Sequence, residues 1–571
     1  MKNPIQPKLI LAAVAIAVSA SAAANNGDNY IRSLTFLDSC GSSLRARVST
    51  VYYDGMGREA LTVTGVAADP GGLVCLRKDY DLRGNVEKEW LPVPGDAACL
   101  SGSAHLAKAR TFYGNDEVAY TSYRYELSGR NRITDSYGPG KYWKNHGVRT
   151  SWHKNTDSGD YSCRKLTVGT STGKVKCSDV YSAGALRITE TEDPDGMRTL
   201  VFEDRLGRKI LERRIGVTNG YAVTADTRFV YDRRGDLRYV ISPEGCRYLS
   251  EGEYTSYYLE RYAQCFDYDA QHRCVSSRMP GCGAVEYVYD RLGNVIFTSD
   301  AEQRMRSEWT MTKYDPRHRP ALRGTVTMTG HNRQSLQTTY GDSLLTETFR
   351  PGEGYIETYL QYTWHHGPKS FTPYMAWYYD SYDFMTGANS GGKASFEQCD
   401  GSFTTQGLCT GTAMLDADSN YWLTAMKYDG KGNVIRQTMW DCWLQDVRFT
   451  VETRYDFVNQ PVSRTETLES VSEGMVTGSN SARFDMAYDD YGRLTKQTLT
   501  VDGKTPVTIG QYEYDAVGRL VRTSGAVDVS YAYDIRSHLI STDSDVYGET
   551  AVYDNPDGLA GQSYSWVNRI T

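Results

Sequence analysis

A short pattern, Tyr-Asp followed by Gly three residues after the Asp, constrains the fold of this 571-residue chain more than any other feature. It reads FVYDRRGDLRYV at 229–240, YVYDRLGNVIF at 287–297 and YEYDAVGRLVRT at 512–523. Alignment on the Asp of this pattern, with Glu-Asp at 203–204 included, gives thirteen units. Adjacent units lie roughly 20 to 40 residues apart, a period that is typical of repeat architectures. The aspartates of the units are Asp54, Asp81, Asp204, Asp232, Asp269, Asp290, Asp315, Asp429, Asp456, Asp489, Asp515, Asp534 and Asp554.

The Asp and the Gly of the unit predict a tight turn. Asp is favoured at the first position of a type I turn because its carboxylate accepts backbone N–H groups, and Gly at the fourth because it adopts positive φ without a Cβ clash. In three units that lack the Gly, its place is taken by His272, His318 or Asn459, residues that tolerate positive φ better than most. Eight units keep both structural turn residues: Asp54 and Gly57, Asp81 and Gly84, Asp204 and Gly207, Asp232 and Gly235, Asp290 and Gly293, Asp429 and Gly432, Asp489 and Gly492, and Asp515 and Gly518.

Each unit is therefore predicted to be one β-hairpin, with aromatic residues such as Tyr287 and Tyr289 alternating along its incoming strand. A lone hairpin is marginal in water, so neighbouring hairpins must pair edge to edge. The expected fold is all-β, a long twisted antiparallel sheet, and the high counts of Tyr (44) and Gly (53) agree with it. One short helix is predicted near Ser103–Ala109, where SAHLAKA combines capping and helix-forming residues.

The first 24 residues predict a secretory signal peptide. Lys2 and Lys8 precede the apolar run Leu9–Val18, and small residues follow up to Ala24. The chain is thus expected to be exported across the inner membrane, to the periplasm, the outer surface or the medium. No later segment is apolar enough to cross a bilayer, and the net charge of −7, with no basic block, argues against a nucleic-acid partner.

Twelve cysteines in an exported chain favour disulfides, although sequence cannot fix their connectivity. The pairs close in sequence are Cys163 with Cys177, Cys399 with Cys409, and Cys274 with Cys282. We predict that the first two pairs are bridged; buried free thiols are the alternative.

Motifs that carry chemistry are weak in this sequence, and no catalytic, cofactor-binding or metal-binding residue is predicted. The match GTSTG at 169–173 lies in a polar stretch without the helix that a nucleophile elbow needs. DADSN at 416–420 lacks the Gly and Glu of a calcium loop, and His365-His366 has no third ligand nearby. His272 with Cys265, Cys274 and Cys282 is a weak metal candidate. The tyrosines are assigned to packing between strands, with glycan or peptide stacking as the alternative.

The repeat Y-D-x-x-G-R/N resembles the signature of the RHS (YD-repeat) family. The front half resembles the N-terminal domain that precedes the repeats in secreted RHS proteins of Gram-negative bacteria, through YYDGMGREALTV (52–63), YDLRGNVEKEWLPV (80–93) and YELSGRNRITDSYGPGKYW (125–143). PEGC (243–246), YDPRHRPALRG (314–324) and YYDSYDF (378–384) resemble that family as well. After the signal peptide at 1–24, the resemblance implies a mainly-β N-terminal domain at 25–195 and RHS repeats at 196–571.

In the family, YD-repeat hairpins form a ribbon that spirals into a hollow shell, which in many members encloses a toxin made by the C-terminal part of the chain. The core segment that closes the shell and releases the toxin has no counterpart before SYSWVNRIT, the last nine residues. Self-cleavage and toxicity are therefore not expected, and the shell is expected to be incomplete. The alternating Tyr564, Trp566 and Ile570 predict an exposed strand edge prone to self-association.

The function expected from this resemblance is that of an exported, non-enzymatic scaffold without a cofactor. It would form the front part of a shell that encloses or presents a toxin-like polypeptide, supplied as cargo or as the rest of a longer RHS protein. The alternative is a cell-surface adhesin or glycan-binding repeat protein, with surface glycans as its partners.

Overall fold

The computed structural model describes residues 29–41, 45–96, 99, 101–169, 175–218, 221–248, 252–253, 256–351, 360–363, 367–368, 370–385, 396–397, 404–416, 421–441, 447–472, 475–551 and 553. The predicted signal peptide, Ser171, His365, His366 and the strand predicted at SYSWVNRIT lie outside these ranges. Asp554 and all but the first residue of the DADSN segment lie outside them as well.

Strands dominate the described chain. The front part contains β1 (Asn29–Phe36), β2 (Ala46–Tyr53), β3 (Glu59–Val66), β4 (Asp69–Tyr80), β5 (Val86–Trp90), β6 (Val93–Pro94), β7 (Tyr120–Tyr125), β8 (Ile133–Tyr137), β9 (Gly147–Lys154), β10 (Arg164–Val168), β11 (Val175–Val180) and β12 (Arg187–Glu192). Next come β13 (Arg198–Glu203), β14 (Lys209–Thr218), β15 (Tyr221–Tyr231), β16 (Leu237–Ile241), β17 (Gly252–Glu253), β18 (Ala263–Tyr268), β19 (Cys274–Arg278), β20 (Val285–Tyr289), β21 (Val295–Ser299), β22 (Glu308–Tyr314), β23 (Pro320–Thr327) and β24 (Phe371–Tyr379). The last part contains β25 (Cys409–Leu415), β26 (Tyr421–Tyr428), β27 (Val434–Asp441), β28 (Val447–Tyr455), β29 (Pro461–Ser472), β30 (Met475–Tyr488), β31 (Leu494–Val501), β32 (Val507–Tyr514), β33 (Leu520–Gly525), β34 (Val529–Tyr533), β35 (Leu539–Ser544) and β36 (Gly548–Thr550).

Within the described ranges, 33 of these strands form one antiparallel sheet, which confirms the predicted all-β fold. Strand follows strand in chain order with two exceptions. Strand β6 pairs with β4, so that β5 pairs with β7. Strands β10, β11 and β17 form a separate small sheet, so that β9 pairs with β12 and β16 with β18. The sheet runs without a break across the predicted domain boundary at 195/196, because β12 pairs with β13. In the described part β1 pairs only with β2 and β36 only with β35, so strand pairing does not close the sheet.

Helices are few and short: α1 (Gly102–Phe112), α2 (Pro243–Arg247), α3 (Ser256–Tyr262), α4 (Ala301–Met305) and α5 (Arg333–Tyr340). Helix α1 confirms the helix predicted near Ser103–Ala109, and Ser101 caps it by accepting the Ala104 N–H at 3.2 Å. None of the helices in the described residues is long and apolar enough to span a membrane.

Apolar side chains collect on one face of the sheet, as strict alternation of buried and half-buried residues along β22 shows. The largest cluster extends from Val288 to Trp440. It is covered by two segments that interrupt the run of hairpins, one between β23 and β24 and one between β24 and β25. Leu336 of α5 packs into the cluster from the first segment, and Phe384 packs from the second.

The predicted disulfide between Cys163 and Cys177 is not formed in this structure, where both residues are buried free thiols. The register of β10 and β11 places Cys177 opposite Leu166, whereas Cys163 lies beside Tyr181. Three residues of extended strand separate the two positions by about 10 Å, which is too far for a bridge. The second predicted bridge, Cys399–Cys409, stays a prediction, because Cys399 is outside the described residues.

Candidate functional site: the turn ladder and the seam

The turn after β2 shows how the Asp and the Gly of the repeat act. Asp54 accepts the backbone N–H groups of Met56 and Arg58 through Oδ1, both at 2.9 Å. The Gly57 N–H donates to the Asp54 carbonyl at 2.9 Å, and Gly57 has a φ of 78°. The strand pairing shifts by one residue next to this turn, which makes it a type I turn closed by a bulge.

All eight predicted turn glycines adopt the same geometry, with φ between 77° and 94°. His272, His318 and Asn459 lie at φ of 64°, 63° and 66°, so each takes the place of the glycine in its turn. Ser537 does the same at 64°. The repeat therefore sets one backbone conformation, and the side chain at the fourth position varies.

In nine turns an Arg or Asn directly after the glycine position completes the turn by binding the Asp carboxylate through its side chain. In six turns it is an arginine whose Nε donates to the second carboxylate oxygen at 2.6 to 2.8 Å: Arg58, Arg208, Arg273, Arg319, Arg493 and Arg519. In three turns it is an asparagine that donates through Nδ2: Asn85, Asn294 and Asn433.

These contacts favour the charged form of the turn carboxylates. The backbone N–H and the guanidinium of Arg58 lower the pKa of Asp54. Burial alone would raise the pKa of Asp204 and Asp269, but hydrogen bonds from Arg208 and Arg273 outweigh burial, and the pKa of both is lowered. The turns thus depend on ionised carboxylates.

The tyrosine of the repeat connects one hairpin to the one before it. Its hydroxyl donates to the backbone carbonyl of the residue two positions after the turn glycine, or its substitute, in the preceding hairpin. Ten such bonds measure 2.5 to 3.3 Å: Tyr80 to Glu59, Tyr125 to Val86, Tyr289 to Cys274, Tyr314 to Val295, Tyr379 to Pro320, Tyr428 to Cys409, Tyr455 to Val434, Tyr488 to Pro461, Tyr514 to Leu494 and Tyr533 to Leu520.

The turn arginine also contacts the ring of that tyrosine. Its guanidinium lies 4.0 to 5.2 Å from the ring centroid in six pairs: Arg58 and Tyr80, Arg208 and Tyr231, Arg273 and Tyr289, Arg319 and Tyr379, Arg493 and Tyr514, and Arg519 and Tyr533. We call these repeated Asp, Arg or Asn, and Tyr contacts the turn ladder. It supports one rim of the sheet, here the turn rim, and explains why the unit reads Y-D-x-x-G-R/N.

One rung of the ladder is divided by an insertion that hid it from sequence analysis. Asp380 follows Tyr379, but its turn glycine is Gly407, at a φ of 89°. The Gly407 N–H donates to Asp380 Oδ1 at 2.6 Å, and the Asp380 N–H donates to the Leu408 carbonyl at 3.1 Å. The segment between them packs on the largest cluster through Phe384 and Phe396.

The turns of the last repeats contact the front of the chain on the rim opposite the turn rim. The Arg47 Nε in β2 donates to the Asp490 carbonyl at 3.0 Å, across 443 positions of sequence. The Tyr491 hydroxyl donates to the Gly72 carbonyl in β4 at 2.6 Å. A Cβ on Gly72 would lie 2.2 Å from that hydroxyl and 2.2 Å from an Asp69 carboxylate oxygen, so a side chain there would displace both groups. We call this contact zone the seam.

The seam continues along the next two turns. The Arg519 guanidinium lies 5.6 Å from the ring of Phe112, at the end of α1. Ile535 packs into the cluster formed by β3, β4 and α1, and the Arg536 guanidinium lies 3.9 Å from the ring of Trp143. The ribbon of hairpins thus returns to its own beginning, and its turn rim docks on the opposite rim of the first strands.

Two cavities lie along the seam. One, of about 670 Å³, is lined by residues of β2 to β4 and of the Asp489 and Asp515 turns, among them Arg47, Asp69, Tyr491 and Arg493. The other, of about 480 Å³, lies between Trp143 and Arg536. Both have mixed polar and apolar walls, so the cavities mark places where the two rims fit incompletely.

The repeat pattern does not predict the seam, although the turns at the seam differ in composition from other turns. Each turn has two variable positions between its Asp and its glycine position. In the Asp232 turn both are charged, Arg233 and Arg234, whereas each turn at the seam has an aromatic or aliphatic residue at one of them: Tyr491, Val517 or Ile535. Apolar tips alone do not identify a seam, because Leu206 also occupies such a position and is 78% exposed.

The weak metal candidate finds no support in the geometry. Within the described residues, no group of three or more His, Cys, Asp or Glu side chains could hold a metal ion. His272 instead bonds Asp236 across neighbouring turns, with its Nδ1 at 2.6 Å from Oδ1.

Two family models match the chain. The first, described as Domain of unknown function (DUF6443), matches residues 29–156, and the second, RHS Repeat, matches residues 488–528. The second match contains the Asp489 and Asp515 turns, both of which lie at the seam. No curated protein sequence matches the chain.

Solved structures share the fold. The crystal structure of TcdB2-TccC3 without its hypervariable C-terminal region matches with a TM-score of 0.57 and 15% identity, over 92% of this chain and 22% of that chain. TcdB2-TccC3 matches with a TM-score of 0.56 and 16% identity, over the same shares. The Tc holotoxin pore of Photorhabdus luminescens matches with a TM-score of 0.54 and 14% identity, over 92% of this chain and 23% of that chain. The chain thus spans less than a quarter of the length of these solved chains.

Proposed function

We propose that this chain, an RHS-repeat protein, is an exported, non-enzymatic scaffold that forms the front part of a shell around another polypeptide. The seam carries this proposal. An extended binding surface does not require contacts between the last repeats and the first strands. A ribbon whose turn rim docks on its opposite rim is wound, and a wound sheet surrounds a space.

The turn ladder also supports a scaffold role. Among the described residues it places most of the repeated Asp, Arg and Tyr side chains in contacts within or between hairpins, so these side chains are committed to holding the ribbon together. The aspartates are therefore poor candidates for general acids or bases, since their oxygens already accept bonds from the turn itself.

The proposed partner is a polypeptide, either a cargo or the rest of a longer RHS protein. The solved structures with this fold have names that refer to Tc toxin components, and the chain matches less than a quarter of each solved chain. Further windings of the same ribbon would extend a shell of the kind begun here. Export by the predicted signal peptide would place the scaffold in the periplasm, on the outer surface or in the medium.

The test is protection of the partner. The chain is expressed together with the coding sequence that follows it in the genome, and the product is treated with a nonspecific protease. Enclosure predicts that the following polypeptide survives with wild-type chain and is degraded with the seam variant Ile535→Asp. Leu206→Asp, at an exposed turn tip, is the matched control and should preserve protection.

Degradation at the same rate in all three samples would contradict enclosure. Binding of the isolated chain to a glycan array, lost on replacing exposed tyrosines such as Tyr221 but kept in Ile535→Asp, would instead identify an adhesin.

A further inference from the structure

Two cysteines that are distant in sequence converge beneath helix α1. Cys75 lies in β4, and Cys99 lies in the segment that leads from β6 to α1. Both side chains have no exposed surface, and both belong to the cluster that contains Ala109 of α1. Neither was among the pairs that closeness in sequence suggested.

The two cysteines share one backbone acceptor. The Cys75 Sγ donates to the Asp96 carbonyl at 3.2 Å, and the Cys99 backbone N–H donates to the same carbonyl at 3.0 Å. The two thiols are also neighbours, since the Cys99 thiol is, after burial, a cause of the raised pKa of Cys75. Gly95 makes room for this arrangement, because a Cβ there would lie 2.6 Å from Cys99 Sγ.

We propose that Cys75 and Cys99 form a disulfide in the exported protein. The oxidant is a disulfide, carried by a small-molecule thiol or by an oxidoreductase of the receiving compartment. One cysteine thiolate attacks the donor disulfide and forms a mixed disulfide, and the second cysteine displaces the donor. One S–S bond forms and one breaks, and the donor leaves as two thiols with the two protons that the cysteines lose.

Burial dictates when this reaction occurs. Burial and the neighbouring Cys99 thiol raise the pKa of Cys75 far above its ordinary value, so almost no thiolate is present once the cluster has formed. Oxidation must therefore precede or accompany closure of the cluster. Afterwards the same burial shields the bridge, and a reductant should reach it only on unfolding.

The bridge would stabilise the surface on which the seam rests. It would join β4 to the segment that holds α1, and Ile535 packs into this same cluster from the last repeats. This inference does not depend on what the shell encloses.

The decisive experiment maps the bridge in the full-length chain. Reduced, denatured protein is refolded either with reduced and oxidised glutathione or with reduced glutathione alone. Each sample is then denatured, alkylated with N-ethylmaleimide and digested without reduction. Mass spectrometry should find the Cys75 and Cys99 peptides joined only in the first sample. Alkylation of both cysteines in protein that refolded with oxidised glutathione would overturn the proposal.

A second measurement uses matched double variants. Oxidised glutathione should raise the urea midpoint of wild-type protein and of Cys163→Ala/Cys177→Ala, whose cysteines are buried but unbridged. Because the predicted Cys399–Cys409 bridge would still form, the midpoint of Cys75→Ala/Cys99→Ala should rise by less than that of wild type, and an equal rise in that variant would overturn the proposal. If that variant does not fold, the peptide map of the wild-type chain decides alone.

Discussion

The strands β20–β27, here the middle region, and the strands β28–β36, here the terminal ribbon, are built from the same hairpin unit but bury very different amounts of apolar surface. The middle region contains the cluster from Val288 to Trp440. Among the described residues of the terminal ribbon, Val471 is the single buried hydrophobic side chain. Both regions keep the turn ladder, through Tyr314 and Tyr428 in one and Tyr488 and Tyr514 in the other.

This difference separates two sources of stability. The middle region is covered by the two segments that interrupt its hairpins, and hydrophobic burial is the main stabilising contribution there. The terminal ribbon has no such cover in the described residues, so its order depends on strand pairing, the turn ladder and the seam. The repeat is therefore sufficient for a ribbon, whereas a core requires the inserted segments.

The largest effect is expected from breaking the buried ion pair of the middle region. Lys313 Nζ lies 2.6 Å from Glu347 Oε1, both side chains are fully buried, and Thr363 donates to Glu347 at 3.0 Å. Lys313→Met would leave the Glu347 charge buried without its cation and should cost about 3–5 kcal/mol. Urea unfolding followed by the fluorescence of tryptophans, which include the buried Trp309, measures this loss.

The double variant Lys313→Met/Glu347→Gln is the control for that experiment. It removes both charges and should recover most of the lost stability. Protection of the terminal ribbon from hydrogen exchange should stay unchanged in both variants. A loss below about 1 kcal/mol in the single variant would mean that burial of the pair contributes little.

A smaller effect is expected from a β-branched residue at a turn glycine. Gly432 and Gly430 lie in the same turn, and a Cβ at either meets nothing within 4 Å, but only Gly432 has positive φ, at 86°. Gly432→Val should cost about 1–2 kcal/mol through backbone strain, and Gly430→Val should cost much less. Equal urea midpoints for the two variants would contradict this account of the turn.

The same change in the terminal ribbon sharpens the comparison. Gly518 has a φ of 94°, and Gly518→Val should cost a similar amount locally. Because no core spans this hairpin, the strain should open it, and limited proteolysis should cut near β32 and β33. In Gly432→Val the cluster should hold the strands closed.

A smaller loss is expected from removing one rung of the ladder. Tyr514→Phe deletes the hydroxyl that donates to the Leu494 carbonyl at 2.9 Å, and Tyr314→Phe deletes its equivalent, which donates to Val295 at 2.8 Å. Each should cost about 1 kcal/mol. Hydrogen exchange should show faster opening around β31 in the first variant and little change around β21 in the second. Equal increases in hydrogen exchange at both positions would show that the hydrophobic core does not compensate for the lost hydroxyl bond.

The smallest effect per turn is expected from acid. The pKa of Asp54, Asp204 and Asp269 is lowered in the fold, so each turn contributes stability above the ordinary value of 3.8 and loses it as the pH falls through the lowered pKa. Circular dichroism from about pH 6 to about pH 2 should show the loss only below about pH 4. Asp204→Asn keeps an acceptor oxygen but cannot ionise, so the stability of that turn should no longer depend on pH.

The local part of this structure was predictable because its causes are local. Asp54 and Gly57 form their turn with one another, so their spacing is enough to place it. The same holds for α1, whose cap and first turn are adjacent in sequence. The repeated hairpins then leave only one economical arrangement, which is edge-to-edge pairing.

The remaining features depend on contacts between distant residues. The Tyr514 hydroxyl bonds a carbonyl in the preceding hairpin, which the tyrosine pattern does not specify. Gly407 completes a turn begun at Asp380, and the insertion between them hides the unit. Cys163 and Cys177 are close in sequence but out of register, whereas Cys75 and Cys99 are farther apart and in contact.

The seam also sets an order of events in time. Arg47 meets Asp490 only after 443 further positions have been synthesised. At typical elongation rates of about 5–20 residues per second, synthesis of the first strands precedes synthesis of the turns that cover their rim by roughly 20 to 90 seconds. Until the last repeats arrive, the rim of β1–β4 lacks the turns that cover it. We expect this uncovered rim to be protected from association with other chains either by a chaperone or by a low concentration of newly made chains. Docking at the seam therefore takes place only after the last repeats are present, and it covers the rim of the first strands.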